Sequence, residues 1–392
     1  MDNITSKTLI EKIKEINKYK TEKKIPLDID FTFKPPHLSQ KSPPSHPIQN
    51  PPPPSHFFNP TQPIFKRRNR NNNVSNTTKE TGKLNIITNL NNTPSSIVTP
   101  LSKLTFKEEH HETALVKEHV HIGPSYTIKH SQIVSNFAYI ENQNISYKEK
   151  MEDKGICIEH FNSQVNQALF CLFDGHGGDL VSKHLQKYFY KVYQRVLNAM
   201  TNVSIEKAMR IAFKQIDEDI KTLGIVSMGS TGTVVHVIRE NPSIITVHCA
   251  NIGDTRCSLI SSVEYERLTY DHRADDETER KRILLCGGSV FNGRVMGQLM
   301  LSRAFGDFEF KSFGVKSEPY YSENKIHLSK RNQYLILACD GIWDVLDENE
   351  IKDLIVYGGS EWDSERLAKN IMKYSFARGA WDNLSLFAIK LS

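Results

Sequence analysis

The sequence predicts an α+β fold, with packed antiparallel sheets covered by helices in one domain that follows a disordered N-terminal extension. Three observations lead there. Fourteen of the 17 prolines fall within residues 1–100 and only Pro124, Pro242 and Pro319 come later, so the chain has two textures. Beyond about residue 121, short β-rich runs are joined in pairs by breaks such as Glu240-Asn241-Pro242, which suits hairpins rather than crossover units. Helical patterns come in pairs and segregate from the strands, the signature of helices laid on antiparallel sheets.

In chain order, residues 8–20 place Leu9, Ile10, Ile13 and Ile16 at helical spacing, a short helix that would be marginal alone. From Lys34 to about Thr105 the chain is rich in Pro, Asn and Ser, too little apolar surface to offset chain entropy, and is expected to be disordered. Lys66, Arg67, Arg68 and Arg70 read as a solvated charge run or a nuclear address, and the prolines around Pro44 and Pro47 as a spacer or a polyproline ligand. We therefore divide the chain into a tail, 1–120, and a domain, 121–392. Within the domain, strands are expected at 155–161, 168–173, 232–239, 243–251, 256–260, 333–339 and 384–390. Helices are expected at 180–200, 204–223, 275–285, 349–356 and 364–377, with their apolar faces as core.

Composition excludes several function classes. Residues 1–120 carry 18 Lys+Arg against 11 Asp+Glu, and the remainder 32 against 34, so the +5 net charge belongs to the tail and no nucleic-acid-binding core is expected. The longest apolar runs, such as Leu335 to Cys339, are too short to span a bilayer. With no secretory signal at the start, a cytoplasmic or nuclear monomer is expected. The six cysteines include no CxxC pair, which suggests neither a zinc site nor a disulfide framework. Cysteine-based phosphatase chemistry needs an Arg six residues after the nucleophile; Ser163, Gly177, Thr255, Val263, Asn292 and Val345 stand there instead.

The informative pattern is where aspartates fall. The apolar run Ala168–Phe173 stops at Asp174-Gly-His-Gly-Gly178, the run Tyr334–Cys339 stops at Asp340-Gly341, Asp382 precedes the run from Leu384, and Asp307 follows Phe305-Gly306. Strand ends neighbour strand starts in antiparallel sheets, so these four carboxylates are expected to converge at one sheet edge. Converging carboxylates repel unless cations neutralise them, and oxygen ligands favour Mg²⁺ or Mn²⁺ over zinc. Two ions sharing Asp174 could lower the pKa of a shared water. A lone Asp-Gly is more simply a turn; the set together favours a site.

The motifs Lys148-Glu-Lys-Met-Glu152-Asp153, Phe173-Asp-Gly-His-Gly-Gly178, Gly229-Ser-Thr-Gly232, Asn251-Ile-Gly-Asp254-Thr-Arg256, Asp271-His272, Arg294 to Asp307, Ala338-Cys-Asp-Gly-Ile-Trp-Asp344 and Asp382-Asn-Leu-Ser385 occur in order across 130–392. Together they resemble the metal-dependent serine/threonine protein phosphatases, the PPM or type 2C family. The resemblance implies a sandwich of two antiparallel β-sheets flanked by α-helices. It implies hydrolysis of phosphoserine and phosphothreonine in phosphorylated protein substrates by a water activated by two metals, Mg²⁺ or Mn²⁺, in a signalling role. Asp174, Asp307, Asp340 and Asp382 would be metal ligands with the Gly175 carbonyl, and Glu152 and Asp153 would act through waters. Asp254 would hold a third, weaker ion, or simply lie in a turn. His176 would protonate the departing oxygen, against the simpler role of hydrogen-bonding a ligand carboxylate.

One departure stands out, because Lys148 occupies the place of the family's phosphate-gripping Arg. Lysine keeps the charge but loses the two-pronged contact. Lys150 or Arg294 would be the compensating cations. Lys148 is also the one feature favouring an alternative, a weak or inactive phosphatase-like scaffold. Trp343 and Trp381, which flank two of the aspartates, read as packing residues.

Overall fold

The structure is a computed structural model that describes residues 116–392 except 201 and 329–331. The helix expected at 8–20, the Pro/Asn-rich stretch and the basic cluster at 66–70 lie outside the described residues. In chain order come β1 (His119–His121), β2 (Ser125–Ile128), β3 (Asn136–Asn142), β4 (Lys154–Glu159), β5 (Gln167–Phe173) and β6 (Gly175–His176). Two helices follow, α1 (Leu180–Ala199) and α2 (Ile205–Thr222), then β7 (Gly229–Ser230), β8 (Gly232–Asn241), β9 (Ile244–Ile252), β10 (Arg256–Ser261) and β11 (Tyr265–Arg267). After α3 (Glu277–Leu285) come the hairpin β12 (Val290–Phe291) and β13 (Arg294–Val295), β14 (Phe305–Gly306) and α4 (Phe308–Lys311). The order ends with β15 (Tyr320–His327), β16 (Gln333–Ala338), α5 (Asp340–Trp343), α6 (Glu348–Gly358), α7 (Ser364–Ala377) and β17 (Leu384–Lys390). Because β1 starts at His119 and pairs with β4, a boundary at 121 would cut a strand.

Two six-stranded antiparallel sheets face each other, in the orders β1-β4-β5-β8-β9-β15 and β11-β10-β16-β17-β3-β2. The central strands β5 and β16 are almost wholly apolar because both of their faces are buried. Along β5, Phe170 and Leu172 point between the sheets with Leu335, Leu337 and Phe387. Their neighbours Leu169, Cys171 and Phe173 point outward beneath α1 and α2, against Leu185, Phe189 and Phe213. On the other sheet Ile336 and Leu386 lie beneath α6 and α7, against Leu354, Leu367 and Ile371. Three of the helices start on side-chain caps as follows: Ser204 accepts from the Lys207 N–H, Asp363 from Arg366, and Asp347 forms a capping box with Glu350.

The sandwich tolerates little change in its filling. Gly155 on β4 lies against the ring of the fully buried Tyr139, whose hydroxyl donates to Glu141 at 2.6 Å. An added methyl would overlap that ring. Gly155→Ala is expected to lower stability by about 1–3 kcal/mol, read as a lower thermal midpoint; an unchanged midpoint would count against this packing.

A third, three-stranded sheet, β14-β7-β6, sits at one end. It exists because β7 pairs on one side with Gly175-His176 and on the other with Phe305-Gly306, binding three distant segments into one unit. Among the described residues no helix is long and apolar enough to cross a membrane.

Candidate active site

The aspartates gather at one end of the sandwich rather than along one sheet edge. Asp174 leaves β5 of the first sheet, whereas Asp340 leaves β16 and Asp382 enters β17 of the second. Asp340 also opens a helical turn, α5, instead of a simple turn. Carboxylate oxygens of Asp174 and Asp340 and the Cys339 sulfur all lie within 4.8 Å of one another. Desolvation pushes the carboxyl pKa of Asp174 well up, and the charges of Asp153, Asp340, Asp254 and Asp382 push it further. Asp340 is raised in the same way, by desolvation and then by Asp254, Asp382 and Asp344. Asp153 is buried behind them and accepts a hydrogen bond from the Ser385 hydroxyl at 2.6 Å.

Backbone contacts fix this geometry. The Asp174 N–H donates to Thr231 Oγ1 at 3.1 Å, and the Thr231 N–H donates back to the Asp174 carbonyl at 2.9 Å. Asn383 Oδ1 accepts from the Glu152 N–H at 2.8 Å, which ties the 152–153 segment to the start of β17. Gly175 is buried, and a Cβ there would sit 2.8 Å from both the Glu152 carbonyl and the Ser182 hydroxyl, so no larger residue fits.

The donor set suits a hard divalent ion. It is carboxylate oxygen throughout, apart from Cys339. That thiol is buried, accepts from the Ser385 N–H at 3.2 Å and donates to the Asn383 carbonyl at 3.5 Å. Burial, and then the charges of Asp153, Asp174 and Asp340, raise its pKa well above the usual range. Charge points the same way: five aspartates (153, 174, 254, 340 and 382) act on one another with two cations, Lys148 and Arg273, paired among them.

Asp307 lies outside the Asp174–Cys339–Asp340 group, as Asp382 does, and holds His176, with Oδ2 2.8 Å from Nε2. The reason is the small sheet: β14 and β6 flank β7, which sets the residue after Gly306 beside His176. Asp307 sits in left-handed backbone (φ 49°), an unfavourable place for a side-chain-bearing residue. Its turn is pinned from outside, since Asp217 accepts the Gly306 N–H at 2.8 Å and pairs with Lys311 at 2.8 Å. Gly229 completes the arrangement, because a Cβ there would collide with both Asp307 and His176. Burial pulls the His176 pKa down, but the hydrogen bond and charge of Asp307, helped by Asp254 and Glu152, carry it above the ordinary value. The ring keeps 32% of its side-chain surface exposed.

Lys148 reaches the cluster and forms an ion pair with Asp382. Burial lowers its pKa, but Asp382, Asp174 and Asp340 raise it on balance, so it carries its charge. The other two candidate cations do not join it: Lys150 is exposed, and Arg294 is turned to the Gln298 carbonyl in the β12–β13 hairpin. Asp254, expected as a weak metal ligand, is already partnered. Arg273 spans Asp254 at 2.9 Å and Asp344 at 2.7 Å. Sequence reasoning missed Arg273, although it directly follows the Asp271-His272 motif. Of the tryptophans, Trp343 is buried as expected and donates Nε1–H to the Ala338 carbonyl at 3.0 Å. Trp381 is not a packing residue but stands in solvent.

Comparison with known proteins matches this arrangement to a family. Residues 137–384 match the family described as Protein phosphatase 2C. The chain is 30% identical over 263 residues to Protein phosphatase 2C homolog 1 of Saccharomyces cerevisiae, covering 64% of this chain and 92% of that one. It is 28% identical over 263 residues to human Protein phosphatase 1A, covering 62% of this chain and 68% of that one. The solved structure of a phosphatase from Toxoplasma gondii has the same fold, with a TM-score of 0.58 at 24% identity, covering 70% of this chain and 96% of that one. Fold, strand-end carboxylates and family match agree, and the chain belongs to the protein phosphatase 2C family.

Proposed function

We propose that the chain is a protein serine/threonine phosphatase that uses a water activated by two divalent ions, Mg²⁺ or Mn²⁺. The observation that carries this reading is the approach of Asp174 and Asp340 within 4.8 Å, from two different sheets, with Asp153, Asp254 and Asp382 charged close by. Asp174, Asp340, Asp382 and the Gly175 carbonyl would hold the ions, with Glu152 and Asp153 outside them through waters. Such ions, when bound, neutralise the carboxylates, acidify a water and polarise the phosphoryl oxygens.

The chain's own residues supply the rest. Lys148, whose ammonium pairs with Asp382, would offer it to the phosphate oxygens. His176, held on Nε2 by Asp307, keeps a proton for the departing serine or threonine oxygen. Asp307 positions His176 through Oδ2 and would also be a ligand to one ion, as the resemblance implies. The catalytic unit is the sandwich from His119 onward, acting in the cytoplasm or nucleus on phosphorylated proteins.

The test is a Mn²⁺-dependent assay of the full-length protein on phosphoserine and phosphothreonine peptides. Release of phosphate that stops with a chelator is expected, and no release with metal present would overturn the proposal. An inactive scaffold need not bind metal, so Mn²⁺ calorimetry separates the two readings.

Two variants probe particular residues. Lys148→Arg restores a planar two-pronged contact and should lower KM for phosphopeptides severalfold with kcat little changed. An unchanged or higher KM would show that Lys148 does not grip phosphate. Arg273 stands as a resident cation between Asp254 and Asp344, so two ions are expected rather than three. Its pKa is lowered by burial yet raised on balance by those two carboxylates. Arg273→Ala should add one weak Mn²⁺ site in calorimetric titration; the same stoichiometry as wild type would refute that role.

A further inference from the structure

Three large apolar side chains stand in solvent beside the proposed phosphate-binding lysine. Ile145 is 79% exposed, Tyr147 65% and Trp381 56%. Singly exposed apolar residues are ordinary, but an indole left wet forgoes a large burial gain. Three on two adjoining segments make a patch.

The two segments are locked together. The Asn144 side chain is buried and donates Nδ2–H to the carbonyls of Ala380 (2.9 Å) and Asp382 (3.1 Å). The N–H groups of Tyr147 and Lys148 donate to the Asn144 carbonyl at 2.8 and 3.0 Å, closing the turn that carries Ile145 and Tyr147. Asn383 adds two bonds from the other side, to the carbonyls of Gln143 (2.8 Å) and Lys150 (3.0 Å). The patch is therefore held on a fixed platform, and Lys148 and Asp382 belong to that platform. Tyr147 is the residue before Lys148, and Trp381 the residue before Asp382; neighbouring Cα atoms are about 3.8 Å apart. An extended peptide advances about 3.3 Å per residue, so a substrate with its phosphate at Lys148 reaches the patch within about three residues. The exposed charges alongside, Glu149 and Lys150, are of opposite sign and give no net electrostatic preference.

We infer that Trp381, Tyr147 and Ile145 form a substrate-docking surface for an aliphatic or aromatic side chain of the phosphoprotein, within about three residues of the phosphorylated serine or threonine. This rests on the phosphatase reading above. It assigns substrate preference to residues outside the metal and proton-transfer machinery.

The experiment is steady-state kinetics of the full-length protein with Mn²⁺. The substrates are phosphopeptides in which Leu or Ser is scanned through the three positions on each side of phosphoserine, together with a small aryl phosphate. Wild type is expected to prefer Leu at one or more positions by about tenfold in kcat/KM. Trp381→Ala and Tyr147→Ala should bring that preference close to unity through KM, leaving aryl phosphate hydrolysis unchanged, and Trp381→Phe should keep part of it. Activity without a Leu preference at any position overturns the docking surface alone. An equal loss on aryl phosphate and on both peptide types overturns it in favour of a structural role for Trp381. Wild type inactive on every substrate defeats the phosphatase reading, and this inference with it.

Discussion

Asp174→Asn and Asp340→Asn are each expected to remove phosphatase activity while making the metal-free protein more stable. The two carboxylates lie within 4.8 Å and are charged against Asp153, Asp382 and Asp254. Without metal, neutralising one of them relieves repulsion. A gain of about 1 kcal/mol would raise the thermal midpoint of a domain this size by about 2–4 °C. With metal the order reverses. A bound ion contributes several kcal/mol of charge stabilisation in the transition state, so losing a ligand should cost on the order of 10³-fold in kcat/KM. Mn²⁺ should raise the wild-type midpoint clearly and the variants' hardly at all. Thermal unfolding of metal-free and Mn²⁺-loaded samples, set beside rates, reads both effects. A variant that is less stable without metal, or that keeps its activity, would contradict the account.

His176→Ala is expected to lower kcat on phosphoserine peptides by about 10²–10⁴, the usual range for losing a general acid. On an aryl phosphate, whose leaving oxygen needs no proton, the loss should be less than about tenfold. If both substrates lose equally in His176→Ala, the histidine only shapes the site.

Much of this was legible in the sequence because the central strands are buried on both faces. Runs such as Ala168–Phe173 and Tyr334–Cys339 stay apolar without interruption, and their ends mark where the carboxylates emerge. Strands with an open side were not legible. Tyr320–His327 reads as polar because it is an edge strand, defined by its eight-residue register with β9 rather than by apolar alternation. The same holds for the short β1 and β2 at the outer edges. Asn136–Asn142 is central and buried, but its apolar run is only four residues between polar ends.

Within the site, Asp174, Asp340 and Asp382 could be placed because each adjoins a long strand. The bond from Asp307 to His176, 131 residues away, had no local signal because it depends on two-residue strands that form only by pairing with β7 between them. Arg273 carries no local signal for its partners, Asp254 and Asp344, which are 19 and 71 residues away. Trp381 shows the limit of periodicity: a large apolar residue beside a strand reads as core, and only the packing reveals it bare.

The claim beneath all of this is that acidic groups from both sheets form one receptacle for a pair of divalent ions. Anomalous scattering from crystals grown with Mn²⁺ tests it most directly. The account predicts two peaks contacting Asp174 and Asp340, with Asp307 still on His176 and Arg273 still between Asp254 and Asp344. A crystal of active protein with no peak against Asp174 or Asp340 would contradict it.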